Sequence, residues 1–288
     1  MPMLDNLRRF LPPALGGVRH PMVTVLRLDG VIGAMGGLRA GLTIAGTARL
    51  IERAFSIKPL SAVALVINSP GGAAAQSALI HGRIRALAEE RKIPVIAFCE
   101  DVTASGGYML ALAADRIYAH PMSIVGSIGV ISGGFGFDRA IEKLGIDRRI
   151  YTAGANKHRL DPFKPENPDD IVKLRDLQTD IHAGFKAMVT DRRGTRLTAG
   201  EDTLFNGDVW TGRQAVELGL IDGLGDVRSR LREEFGPKMR LIPIAHRRRL
   251  FRFGPRLFSS NLSEGGRGIA GDALSTLEER GLWSRFGL

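Results

Sequence analysis

The stretch Ala62-Val-Ala-Leu-Val-Ile-Asn68 is apolar at every position but its last and runs directly into Ser69-Pro-Gly-Gly72. A short apolar run closed by turn residues reads as a strand, and the segment from about Ala73 to Arg91 reads as a helix. The same order recurs along the chain. Met22-Val-Thr-Val-Leu-Arg-Leu28 is a strand candidate closed by Asp29-Gly30, with a helix expected over Leu38 to Ile57. Pro94-Val-Ile-Ala-Phe98 reads as a buried strand, and Gly106 to Asp115 is Ala/Leu-rich and reads as a helix. Repeated strand–helix units require helices layered on a sheet, so the expected class is α/β.

Further along, Arg116 to Ala119 and Ser123 to Ser132 read as short extended pieces, Phe137 to Leu144 as a short helix and Arg149 to Thr152 as a strand. A loop rich in Gly, Asn, Lys and Pro spans Ala153 to Asn167; loops of that length usually carry function or stay disordered. Ile171, Leu174, Leu177, Ile181, Phe185 and Met188 recur at helical spacing, which predicts an amphipathic helix from Asp169 to about Arg193, packed on the core or on a neighbour. Trp210 to Gly219 is a further helix with Thr211 as its cap. The domain is expected over residues 21–235, between an N-terminal extension over 1–20 and a basic C-terminal extension over 236–288.

Of the formal charge of +10, most lies in that last segment, where ten Lys/Arg face four Asp/Glu. Five arginines alternate with apolar residues between His246 and Phe258. A solvated tail, a contact with anionic lipid and a nucleic-acid contact are all open on charge alone; no recognition motif favours the last, and no nucleic acid is expected. No run of about 18 apolar residues occurs and no signal-peptide core is present, so a cytoplasmic chain is expected, with peripheral attachment to the inner membrane face through the tail left open. The single cysteine, Cys99, excludes an internal disulfide and reads as a core residue. No cofactor and no metal site are expected.

Asp101-Val-Thr-Ala-Ser-Gly-Gly-Tyr108 sets a small hydroxyl residue between a strand and a helix. Ser105 there is either a helix cap, the commoner use, or a nucleophile beside backbone N–H groups able to stabilise an oxyanion. Gly71-Gly72 lets the backbone approach a ligand closely and offers further N–H groups; it lacks the lysine and spacing of a phosphate-binding loop. A serine nucleophile needs a base. None of the six histidines stands in a triad context, whereas Lys157 lies in a loop after an expected strand, and a lysine whose pKa is lowered by burial can serve.

Asn68-Ser-Pro-Gly-Gly72, Thr103-Ala-Ser-Gly-Gly-Tyr108, Gly126-Ser-Ile-Gly-Val130, Thr152-Ala-Gly-Ala-Asn-Lys157 and Val209-Trp-Thr-Gly-Arg-Gln-Ala215 occur in this order. Together they resemble the signal peptide peptidase A family, the serine–lysine peptidases of family S49 with a ClpP/crotonase-like fold. The likeness runs from about Met22 to Val227. Any one motif is weak; five in order, with 52 residues from Ser105 to Lys157, are specific. The resemblance implies Ser105 as nucleophile, Lys157 as general base and later acid, and Ser127 as the residue that orients the lysine. It also implies an oxyanion hole from the N–H groups of Gly71 or Gly72 and of Gly106. Asn156 precedes Lys157 where the family commonly has an aromatic.

The resemblance further implies a homo-oligomeric ring in which one subunit's serine meets a neighbour's lysine. The expected activity is serine endopeptidase cleavage of apolar peptides such as cleaved signal peptides or membrane-protein remnants. A crotonase-like acyl-CoA enzyme and an inactive membrane-associated scaffold are the alternatives.

Overall fold

The computed structural model describes residues 20–33, 41–245 and 280–288. The proposed N-terminal extension up to residue 19, the first residues of the helix expected from Leu38, and the arginine-rich stretch 246–258 lie outside the described residues. In chain order the elements are β1 (Met22–Asp29), α1 (Ile44–Ser56), β2 (Ala62–Ser69), α2 (Ala74–Arg91), β3 (Val95–Ala104) and α3 (Gly106–Ala111). Next come β4 (Arg116–Ala119), β5 (Ile124–Gly126), α4 (Asp138–Lys143), α5 (Pro168–Arg193), α6 (Glu201–Leu204) and β6 (Val209–Thr211). The last are α7 (Gly212–Glu217), β7 (Gly223–Leu224), α8 (Val227–Phe235) and β8 (Arg240–Ile244).

One sheet runs β6-β5-β3-β2-β1-β8, with β4 branching from β3 and β7 pairing with β4. All pairings are parallel except β5 with β6. β2 explains why its sequence is almost wholly apolar. Val63, Leu65 and Ile67 face the main core with Ile51 and Phe55 of α1 and Ile80 and Ile84 of α2, while Ala62 and Ala64 face a smaller core under Leu231 of α8. A central parallel strand covered on both sides has no polar face to show in its sequence.

Helix ends obey local chemistry. Thr43 accepts the Gly46 N–H at the start of α1, Thr211 and Gln214 form a reciprocal capping box on α7, and Asn167 caps α5. Lys92 closes α2 at φ +53, its N–H reaching the Ala88 and Glu89 carbonyls.

Four sequence expectations change. β3 does not stop at Phe98. It continues to Ala104, because its register on β2 jumps from Ile67↔Cys99 to Ser69↔Thr103. The extra residues on β3 form a bulge at Glu100 and Asp101, and a bulge bends its strand and re-aims the residues beyond it. Here the first half of β3 pairs with β4 and the second with β5, so the strand forks from one neighbour to the other and ends on Ser105. α3 stops at Ala111 rather than Asp115, and the carbonyls after it bond to arginines: Leu112 and Ala114 to Arg192, Ala113 to Arg85.

The strand expected over Arg149 to Thr152 is absent. It lies off the sheet with Tyr151 91 % exposed, and an extended segment without a partner leaves its backbone to water. The sheet also continues past residue 235, where the sequence placed the end of the domain. β8 pairs with β1 from Met22↔Arg240 to Leu26↔Ile244, so the compact unit reaches at least Ile244.

α5 forms as expected but is only partly covered. Its last turns bury Phe185, Val189 and Arg193, while Val172, Leu177 and Ile181 stand exposed. Arg193 donates to the Gly219 carbonyl and to Asp222, both at 2.8 Å, and Asp222 also accepts the Ile117 N–H. Burial pushes the Asp222 carboxyl up, but these hydrogen bonds outweigh it and hold the group below its usual range.

His81 on α2 is a partly buried group that titrates with pH. Its Nε2 is buried with no partner among the described residues. Burial, reinforced by the Arg192 charge, lowers its pKa from 6.5 to about 4. The unfolded chain therefore takes up this proton first as pH falls. The His81 contribution is fully present above pH 6.5 and is lost between there and about pH 4. Urea titrations at pH 7.0 and 4.5 are expected to show wild type losing about 2 kcal/mol more stability than His81→Leu over that interval. Parallel losses in both proteins would remove His81 as the cause.

Candidate active site

Ser105 sits at the junction of β3 and α3 with φ +53 and ψ −121, outside the regions a non-glycine residue usually occupies. Strain of this kind, of the order of 1–3 kcal/mol, persists only where the surroundings fix it. The surroundings do so from both sides. The Ser105 N–H donates to the Gly126 carbonyl at 2.7 Å, and its carbonyl accepts the N–H groups of Tyr108 and Met109. Its side chain makes no capping hydrogen bond to α3. The capping use is therefore not the one the structure adopts, and the partly exposed hydroxyl has no hydrogen-bond partner among the described residues.

Gly71 packs directly against this serine, and Gly72 lies beside Gly106. A Cβ on Gly71 would lie 2.7 Å from the Ser105 Cβ and 2.9 Å from the Gly106 nitrogen. One on Gly106 would lie 3.4 Å from the Gly72 nitrogen. Only glycine permits that approach. The two amides of the pair differ. The Gly71 N–H is taken by Ser69 Oγ at 3.2 Å, whereas the Gly72 and Gly106 N–H groups have no acceptor among the described residues. The Gly106 amide belongs to the first turn of α3, where no intrahelical acceptor exists.

Ser127 is 7 % exposed, adopts φ +52, and comes directly after the glycine whose carbonyl binds the Ser105 amide. Its own N–H donates to the Asp208 carbonyl at 2.7 Å, which ties it to the β6 side of the sheet. Thus Ser105, Gly71, Gly72, Gly106 and Ser127 are brought together. Lys157 is not brought to them. It is exposed, in a turn closed by its N–H on the Gly154 carbonyl, and from Ile131 to Asp170 no residue is buried.

That arm is held by local clips. Arg148 stacks on Phe163 at 4.4 Å and pairs with Asp161, and Asp170 pairs with Arg159 and accepts the Leu160 N–H. Ile131, Phe135, Leu144 and Tyr151 are each more than two-thirds exposed on it.

Cys99 is buried in the main core, and burial pushes its thiol up to about 12, which leaves no thiolate for catalysis. Sequence reasoning passed over three residues that shape the site: Ser69, the Ile32 backbone and Asp208. Ser69 was in view within the Ser-Pro-Gly-Gly motif. Ile32 and Asp208 act through backbone atoms, which leave no mark in a side-chain pattern.

The family model described as Peptidase family S49 matches residues 88–234, about half of the chain. This chain belongs to peptidase family S49. Over 218 residues it is 34 % identical to the chloroplastic serine protease SPPA of Arabidopsis thaliana, covering 70 % of this chain and 30 % of that one. Over 188 residues it is 32 % identical to a putative protease of Synechocystis, covering 64 % of this chain and 67 % of that one. The α/β class expected from the sequence is the one this mostly parallel sheet and its helices form.

It is also 48 % identical over 290 residues to a Brucella abortus protein named Na(+)/H(+) antiporter NhaA, covering 98 % of this chain but 39 % of that one. The chain thus spans about two-fifths of the length of that relative, whose name describes the longer protein. Among the described residues here no helix is long and apolar enough to cross a membrane.

Proposed function

We propose that this S49 peptidase is a serine endopeptidase acting through Ser105 and Lys157, and that its substrates are apolar peptides such as cleaved signal peptides or membrane-protein remnants. The observation that carries the reading is the strained, uncapped Ser105 packed against Gly71, in a turn where the Gly72 N–H, like that of Gly106, has no acceptor among the described residues. Ser105 Oγ attacks the peptide carbonyl as its proton passes to the lysine amine. The carbonyl oxygen becomes an oxyanion held by the Gly72 and Gly106 N–H groups. The C–N bond then breaks, the lysine ammonium returns the proton to the leaving amine, and water releases the acyl group from Ser105. Ser127 orients the lysine.

The position of Lys157 supports assembly. A lysine in solvent, on an arm with large exposed apolar side chains, fits a base delivered to the serine of an adjacent subunit in a homo-oligomeric ring. Docking buries the amine, and burial favours the neutral lysine that a base must be. In this reading the arginine-rich stretch 246–258 of the basic tail, outside the described residues, holds the ring at the cytoplasmic membrane face.

The test is fluorophosphonate labelling together with hydrolysis of an apolar peptide library. Wild type is expected to label and to cleave, and Ser105→Ala to do neither. Labelling that persists in Ser105→Ala, or hydrolysis unaffected by it, rejects the nucleophile; an unlabelled wild type with acyl-CoA turnover points to crotonase-type chemistry instead.

A further inference from the structure

We infer that Ser69 is a positioning residue for the oxyanion hole: its hydroxyl occupies the Gly71 amide and so fixes which N–H of the glycine pair faces the substrate. This rests on the reading of Ser105 as the nucleophile. Ser69 is the last residue of β2, fully buried, and rung-paired with Thr103 two residues before Ser105. Its Oγ accepts the Gly71 N–H at 3.2 Å. The next peptide is held on its other side, where the Gly71 carbonyl accepts the Ile32 N–H at 2.8 Å and the Ala73 N–H donates to the Ile32 carbonyl at 2.8 Å.

With Gly71 bonded through both its N–H and its C=O, the chain at Gly72, at φ +140, has little rotational freedom, and its amide stays unpartnered among the described residues. Ser69 also abuts Gly107, the residue that follows the other donor. A Cβ on Gly107 would lie 2.6 Å from the Ser69 carbonyl oxygen and 3.2 Å from its Cβ, so the start of α3 packs on this same residue. One buried side chain thus sits between the two elements that carry the oxyanion donors. Without its hydroxyl, the Gly71 and Gly72 amides compete for the same space and the turn loses its single setting. Preorganised donors act only when they are already aimed at the place where charge develops.

The experiment compares full-length wild type, Ser69→Ala, Ser69→Cys, Thr103→Val and Ser105→Ala in peptide hydrolysis and in the rate of fluorophosphonate labelling. Thr103→Val is the structural control. It removes a buried hydrogen bond from the residue paired with Ser69 to the Ile67 carbonyl, without touching the glycine turn. Ser69→Ala is expected to lower kcat and the labelling rate by about tenfold or more, with KM within about twofold. Thr103→Val should lower Tm while keeping kcat per folded molecule. Should Ser69→Ala not fold, Ser69→Cys, of similar size but a weaker acceptor, is expected to show a reduced kcat at unchanged KM.

A folded Ser69→Ala or Ser69→Cys enzyme with the kcat of wild type overturns the role of Ser69, as does an equal kcat loss in Thr103→Val. Full turnover by Ser105→Ala instead overturns the nucleophile reading beneath it.

Discussion

Ser105→Ala and Lys157→Ala, each inactive alone, are expected to regain peptide hydrolysis when co-expressed. Loss of either member of a nucleophile–base pair typically costs about ten-thousandfold or more, so each single variant should be silent beside wild type. In a ring where each serine meets the next subunit's lysine, random mixing leaves about a quarter of the sites with both groups intact. A pair built within one chain leaves none. The expectation comes from one asymmetry: Ser105 is gripped by the sheet fork and by α3, while Lys157 stands in solvent on an arm without a buried residue. Activity assayed on co-purified, differently tagged subunits decides it: a silent mixed oligomer would place the two groups in the same chain, and hydrolysis by Lys157→Ala alone would remove Lys157 from the chemistry.

Gly72→Ala should also be strongly damaging, through backbone geometry alone. The added Cβ would lie 2.0 Å from the Ile32 carbonyl oxygen and 2.9 Å from the Ile32 carbonyl carbon and nitrogen. None of these atoms is the end of a flexible side chain, and the Ile32 backbone is itself hydrogen-bonded to Gly71 and Ala73. The turn must move, and its amide with it. Misplacing one oxyanion donor costs about a hundredfold to a thousandfold in kcat, so a loss of that size is expected with a smaller change in KM.

Gly30→Ala provides the comparison. Gly30 also has a positive φ, +102, but a Cβ there meets nothing within 4 Å, so only backbone strain of about 1 kcal/mol is expected, with kcat retained. Equal kcat values for Gly72→Ala and wild type would take the Gly72 amide out of the mechanism.

The elements that sequence identified are those whose physics is local. β1, β2 and α2 come from apolar runs ended by turn residues, and the start of α7 from a threonine cap, because burial pattern and capping act within a few residues. The long-range elements were not legible. β8 is short, contains Pro243, and is a strand because β1 offers it an edge; Arg149 to Thr152 has a strand-like pattern and is not one because no edge reaches it.

The same division runs through the site. The resemblance carried by five motifs in order pointed to Ser105, the glycine pair, Ser127 and Lys157; residue chemistry by itself left capping and a solvated lysine open. Only the tertiary structure chose between the roles left open. It withheld Ser105 from capping through its positive φ, separated Gly72 from Gly71 by giving the Gly71 N–H to Ser69, and set Lys157 apart on an exposed arm. Residue identity fixes what a group can do, but which atoms are already hydrogen-bonded, and which stay free to act, depends on contacts between segments far apart in the chain.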